Sequence, residues 1–183
     1  FSLDTETTSL VAVQADLVGL SFSIAEGQGW YVPVGHRYLG VPDQLPQDLV
    51  LDRLRPLLEN ERFRKVGQNI KYDALVLRRA GVELSGVELD TMVLSYVVHP
   101  EAKSHGLDAL AAEHLNHSMV PYSEMTGTGK KQICFSEVEI EKAAIPRAGR
   151  DLSFITYGGS LFKTLEAAEV LAHDGIEAEV IDL

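Results

Sequence analysis

Cysteine is nearly missing from this sequence: its 183 residues include one, Cys134. A single thiol excludes an internal disulfide and a Cys-rich zinc site. No stretch approaches the roughly 20 apolar residues of a membrane helix, which excludes a spanning protein. Basic residues are scarce, 16 Lys and Arg against 27 Asp and Glu, for a formal charge of −11. That balance is poor for holding a phosphate backbone by bulk charge, so a nucleic-acid role needs bound cations or a local basic patch. Acidic metal sites feed the same sum, so net charge alone does not decide. The chain opens Phe-Ser-Leu-Asp, with neither Met nor a signal peptide, and reads as a cytoplasmic fragment cut at the edge of a first strand. No internal repeat is visible. What is present, 45% hydrophobic and 23% charged residues, is the composition of an ordinary globular domain. It is long enough to bury a core without staples.

Residues 1–5, 17–24 and 29–34 read as strands, the last two joined by a tight turn, which gives a sheet an antiparallel start. Residues 46–59 place Leu49, Val50, Leu54, Leu57 and Leu58 at helical spacing. A strand at 63–67, a helix at 69–80 stopped by Gly81, a strand at 82–89, a helix at 90–98 capped by Asp90 and a helix at 106–115 follow. Residues 118–132 are polar and Gly-rich and are expected to form a mobile loop. Residues 136–144 predict a short helix with Ser136 as cap and Glu139 closing a capping box. Strand patterns at 152–157 and 176–183 flank an amphipathic helix at 160–172, a βαβ unit expected to make a parallel crossover.

Two features carry chemistry. Asp4 and Glu6 are two apart on a strand, so both point to one face. Paired carboxylates there are stable when a divalent cation compensates them, and oxygen-only ligation favours Mg²⁺ or Mn²⁺ over zinc. The plainer alternative is a solvated strand end before a Thr-rich turn. Residues 65–73, Lys-Val-Gly-Gln-Asn-Ile-Lys-Tyr-Asp, end a strand at Gly67 and open a helix bearing Asn69, Tyr72 and Asp73. Asp73 also suits a plain helix-dipole partner, and Asn69 an N-cap. His114 and His117, three apart at a helix end, form a weaker metal candidate beside a plain surface reading. The Gly-Thr-Gly-Lys-Lys run at 127–131 lacks phosphate-loop spacing and reads as a solvated loop able to touch DNA phosphates.

FSLDTETTSL, LVGLSFSI, YVPVGH, KVGQNIKYDALVL and LDTMVLSYVVHP, in that order and spacing, resemble the 3′–5′ exonuclease (proofreading) domain of bacterial DNA polymerase I, of the DEDD superfamily. The likeness covers residues 1–143. It implies an α/β, ribonuclease H-like fold with a mixed central sheet flanked by helices. It implies hydrolysis of single-stranded DNA 3′ ends by two Mg²⁺ or Mn²⁺ ions about 3.5–4 Å apart, with a polymerase domain as partner in the parent protein. Carried over residue by residue, Asp4 bridges the ions, Glu6 holds the nucleophile-side one and Asp73 the other. Leu10 wedges at the terminal bases, and Asn69 and Tyr72 line the single-strand cleft.

The family's last motif, a Tyr and an Asp four apart on one helical face, is absent. In that family the Tyr orients the water and the Asp completes a metal shell. Here Pro146 stands in the register of the Tyr and Arg150 in that of the Asp, while Asp151 comes one residue late. Asp151 is the one carboxylate placed to substitute as a metal ligand. From residue 144 the chain, AIPRAGRDLSFITYGGSLFKTLEAAEVLAHDGIEAEVIDL, resembles the transketolase-like C-terminal domain of thiamine-dependent 2-oxo-acid dehydrogenase β subunits. In that family the stretch is a linker, strand, helix and strand, and no site residue carries over. Its Gly158-Gly159 turn before the helix fits either anion binding or close packing of a βα turn. The sequence reads as a chimera: an exonuclease domain over 1–143 with its last motif missing, and a foreign βαβ unit over 144–183. The expectations are an impaired metal-dependent exonuclease or, alternatively, an inactive structural or nucleic-acid-binding module. In either case helix 160–172 is expected to cover the sheet face left by the lost helix, and strand 176–183 must find a sheet edge.

Overall fold

A computed structural model describes residues 1–140, 144–147, 152–156, 161–173 and 177–182. Its first part is a five-stranded sheet. β1 (Ser2–Thr7), β2 (Leu17–Ser23) and β3 (Trp30–Pro33) form an antiparallel meander, as the alternating pattern predicts. After α1 (Gln47–Leu58), β4 (Lys65–Gly67) pairs parallel to β1 on its other side. After α2 (Lys71–Arg79), β5 (Val87–Asp90) adds parallel to β4. The order is β3-β2-β1-β4-β5. α3 (Thr91–Val98), α4 (Leu107–Leu115) and α5 (Tyr122–Thr126) complete this part. Together these elements make the mixed α/β sheet with flanking helices that the sequence leads one to expect.

The core lies under one face of the sheet. Leu3, Leu17 and Leu20 from β1 and β2 pack with Val50, Leu51 and Leu58 of α1 and Val76 and Leu77 of α2. Alternation then turns Asp4 and Glu6 to the opposite face. β1 and β4 pair only at Ser2 and Val66, because β4 is three residues long. Beyond that point the edge of β1 is open, and the first turn of α2 comes down beside it.

Several segments differ from the sequence reading. The strand expected at 82–89 is confined to Val87–Asp90. Val82 instead closes the end of α2, its N–H on the Leu77 carbonyl, and lies in the core. Asn69 is not the cap of α2: it sits at φ 55°, and Ile70 takes the cap position with no side-chain hydrogen bond. Asp90 satisfies that helix end, accepting from the N–H groups of Asn69 and Ile70, and it also caps α3 as expected, accepting from Met92 and Val93 N–H. The segment at 118–132 is not an open loop. It holds α5 and a 3₁₀ turn, Gly129–Lys131, stapled by the Ile133 N–H on the Thr126 carbonyl. The helix expected from residue 136 is one 3₁₀ turn, Phe135–Glu137. The chain there is pulled straight by partners from the loop after β3: Arg37 N–H on Ser136 O, His36 on Val138 O, and Tyr38 accepting from Ile140 N–H.

The tail builds its own sheet. β7 (Leu152–Thr156), α6 (Leu161–His173) and β8 (Ala178–Asp182) form the expected parallel unit. The sequence reading missed β6 (Ala144–Arg147), which pairs antiparallel to β8. Proline is tolerated on an edge strand, and Pro146 lies where the β6–β8 register breaks, between Ala144 and Arg147. The order is β6-β8-β7, so the last strand is central rather than left at an edge. α6 packs on β7 and β8, and among the described residues Ala168, Ala178 and Val180 pack with Leu165. The helix expected to cover the first sheet thus serves its own. Asp151 and Arg150 lie outside the described residues, as do Gly158 and Gly159.

Candidate active site

The site forms where β1 outruns β4. Asp73, in the first turn of α2, is buried, at 2% exposure. Its Oδ1 accepts from the Thr5 N–H at 2.8 Å and from the Thr5 hydroxyl at 2.6 Å. The sheet edge opened by the short β4 is therefore closed by a carboxylate. The register shifts between Glu6 and Thr7, a break of the kind that re-aims a side chain at the end of a strand.

Burial raises the pKa of all three carboxylates, and charge repulsion adds to it at Glu6 and Asp73. Glu6 is pushed up to about 7 by burial, and further by Asp4 and Asp73. Asp73 is also pushed up to about 7, by burial, with the Thr5 hydroxyl opposing and Asp4 adding. Asp4, although exposed, is raised by burial of its carboxyl against the protein, with the Thr5 backbone opposing. Such a set gains from a compensating cation. Its donors are all oxygen, which suits Mg²⁺ or Mn²⁺ in kind. In number it falls short: among the described residues no three His, Cys, Asp or Glu side chains converge at metal-ligand spacing.

The other sequence candidates divide. Tyr72 stands beside the carboxylates, but its hydroxyl is engaged: it donates to the Ser9 carbonyl and lies 2.6 Å from the Thr7 hydroxyl. Its hydrogen is spent, so it can meet a ligand by its ring or by an oxygen lone pair, not as a donor. Leu10 stands out at 94% exposure. Leu10, Asn69 and Tyr72 line one groove of about 450 Å³, together with Lys71, Leu75 and Arg78. His114 does not meet His117 at a metal site; its ring faces His99 at 6.3 Å. Lys130 and Lys131 are exposed on their 3₁₀ turn.

Two tyrosines close to Glu6, and a histidine bonded to one of them, were not among the sequence candidates for the site. Tyr31 and Tyr122 both have hydroxyl pKa values raised by burial first and by the charge of Glu6 second. Tyr122 stacks on Phe135 with centroids 6.1 Å apart. His36, 4% exposed, lies 2.6 Å from the Tyr31 hydroxyl. The one local signal was Gly19 inside a strand, which marks a close approach; Tyr31 is what approaches. Tyr122 had no local signal, because only the folded course of residues 118–132 brings it in.

Comparisons with known proteins divide the chain at the same place. The 3′–5′ exonuclease family model matches residues 1–142, and that of the transketolase C-terminal domain matches 141–183. DNA polymerase I of Pseudomonas aeruginosa is 44% identical over 174 residues, covering 93% of this chain and 19% of the polymerase. The pyruvate dehydrogenase E1 component subunit beta of Bacillus subtilis is 52% identical over 46 residues, covering 25% of this chain and 14% of that protein. The chain thus spans less than a fifth of the length of that polymerase. Two solved structures share the fold. The POL domain of Pol1 from M. smegmatis, in complex with DNA primer-template and dNTP, matches at TM-score 0.53 and 25% identity, over 64% of this chain and 19% of that one. Brucella melitensis NrnC with bound Mg²⁺ matches at TM-score 0.51 and 22% identity, over 70% of this chain and 59% of that one. No described helix is long and apolar enough to cross a membrane. The chain belongs to the 3′–5′ exonuclease family of DNA polymerase I, and is joined near residue 142 to a segment of the transketolase C-terminal domain type.

Proposed function

We propose that the chain is a divalent-cation-dependent 3′–5′ exonuclease of the proofreading type, acting on single-stranded DNA ends and slowed by the loss of its last carboxylate motif. The observation that carries this reading is the hydrogen bonding of Asp73 to Thr5, the residue between Asp4 and Glu6, which gathers three carboxylates at one sheet end in a member of this family. Asp4, Glu6 and Asp73 would hold two Mg²⁺ or Mn²⁺ ions. When bound, the ions would supply charge stabilisation along the in-line path of phosphodiester hydrolysis. Leu10, Asn69 and Tyr72 would receive the frayed strand, by stacking and a few polar contacts rather than base readout. Lys71 in the same groove offers local positive charge, whereas Arg78 beside it is paired with Glu83. Residues 1–143 would do this work in the cytoplasm beside a polymerase domain, with 144–183 as a foreign appendage. Asp151 would be the substitute ligand, restoring part of the lost shell. The NrnC structure with bound Mg²⁺ supports the choice of cation.

The absence of three ligands at metal spacing among the described residues favours a second reading, an inactive module that binds single strands. A 3′-overhang oligonucleotide labelled at its 5′ end separates the two. A ladder shortening from the 3′ end with Mn²⁺, lost with EDTA and in Asp4→Ala, is the expected result. No ladder from protein shown folded by circular dichroism would establish the inactive module.

A further inference from the structure

Tyr31 and His36 form a fixed pair on the carboxylate face. Directly opposed residues of antiparallel strands send their side chains to the same side. Glu6 is opposed to Gly19, and Asp4 to Ser21, which is in turn opposed to Tyr31. Asp4, Glu6 and Tyr31 therefore rise from one face. Tyr31 leans from its own row into the next and fills the place a side chain at 19 would take: a Cβ there would lie 2.1 Å from Tyr31 Oη. Opposed Cβ atoms lie about 4.5–5.5 Å apart, so the Tyr31 hydroxyl stands beside the root of the Glu6 side chain.

The hydrogen-bond chain fixes where its proton points. The Val138 carbonyl can only accept, so His36 Nδ1, 3.0 Å away, carries the ring hydrogen. Burial lowers the His36 pKa and keeps the ring neutral, with the Val138 hydrogen bond opposing. Nε2 is then bare, and the Tyr31 hydroxyl donates to it at 2.6 Å. With its one hydrogen engaged, Tyr31 Oη can present only lone pairs toward Glu6.

We propose that Tyr31, locked by His36, orients the attacking water of the exonuclease reaction. A water lying between Tyr31 Oη and the Glu6 carboxylate meets two acceptors. It must donate one hydrogen to each, which turns its lone pair out over the carboxylate face. That lone pair forms the new bond to phosphorus as the P–O3′ bond breaks. The electron pair leaves on O3′, which takes a proton from solvent, and Glu6 accepts the proton the water loses. The assignment rests on the nuclease reading of the same site. It gives the chain a water-orienting hydroxyl on β3, in place of the tyrosine that Pro146 replaces.

The test uses Tyr31→Phe, which keeps the ring over Gly19, beside the parent protein and Asp4→Ala. Single-turnover cleavage of a 5′-labelled oligonucleotide with Mn²⁺ should slow by about tenfold to a hundredfold in Tyr31→Phe. Affinity for the same oligonucleotide, read by fluorescence anisotropy, should hold, while the melting temperature should fall by a few degrees because the buried His36 Nε2 loses its donor. In the metal-free parent, ¹⁵N NMR should show His36 protonated at Nδ1 and bare at Nε2. A Tyr31→Phe protein that cuts at the parental rate overturns the proposal alone. So does an equal loss of rate and affinity, or a His36 ring protonated at Nε2. A parent that cuts nothing, or an Asp4→Ala that cuts equally well, overturns the nuclease reading and the proposal with it.

Discussion

The two sheets of this chain are assembled over very different distances along it. The five-stranded sheet draws its site from far apart: Asp73 closes on Thr5, 68 residues away, and His36 reaches Val138, 102 residues away. In the three-stranded sheet, β7, α6 and β8 follow one another directly, and among the described residues Ala168, Ala178 and Val180 pack with Leu165. A local unit of that kind forms its parallel pair wherever its pattern is intact. It replaces the missing helix in chain length, but α6 packs on its own strands β7 and β8.

Core truncation breaks this contrast most sharply. Leu20, fully buried between sheet and helices, should cost about 3–5 kcal/mol when cut to alanine. Val180→Ala, in a cluster whose described buried members are Ala168, Ala178 and Val180, should cost roughly 2 kcal/mol or less. Urea denaturation followed by far-ultraviolet circular dichroism measures both, and equal losses would mean that the sheets share one core. Asp90→Ala comes next. It strips acceptors from four N–H groups at the starts of α2 and α3, and should cost about 2 kcal/mol in the same assay. An effect within experimental error would show that other groups take over those helix ends.

The pH dependence separates the regions again. Glu6 and Asp73 have folded pKa values of about 7, above their ordinary values of 4.5 and 3.8. A carboxyl raised by folding binds its proton more tightly in the folded state, so stability falls as pH climbs from about 4 to about 7. The metal-free protein should melt several degrees lower at pH 8 than at pH 5. Asp73→Asn keeps an acceptor for Thr5 and should flatten that slope. A slope unchanged by the substitution would place its origin elsewhere. The smallest effect is expected at His114 and His117. Their replacement by alanine should change stability by less than about 0.5 kcal/mol and leave Mn²⁺ binding unaltered in a titration, since they do not converge.

Most elements were legible from local pattern. Leucine spacing marked α1, alternation marked β1 to β3, Asp90 announced α3, and the tail's βαβ unit followed from its own residues. The misses share a cause, in that each was decided by a distant partner. Ser136 and Glu139 look like a capping box, but Arg37, His36 and Tyr38 hold that backbone extended. Asn69 looks like a cap, but Asp90, 21 residues on, takes the N–H groups. Of the candidate site, strand parity and a helix's first turn offered Asp4, Glu6 and Asp73 as candidates beside plainer readings, and the family resemblance joined them into one proposed set. Tyr31 became visible only through its neighbour Gly19, and Tyr122 only through the fold.

The central claim is that Asp4, Glu6 and Asp73 form one cation-compensated set, and titration calorimetry with Mn²⁺ at pH 8 tests it most directly. The parent should bind saturably, with binding abolished in Asp4→Ala and weakened in Asp73→Asn. Binding that survives Asp4→Ala unchanged, or no binding at all by a folded parent, would contradict it.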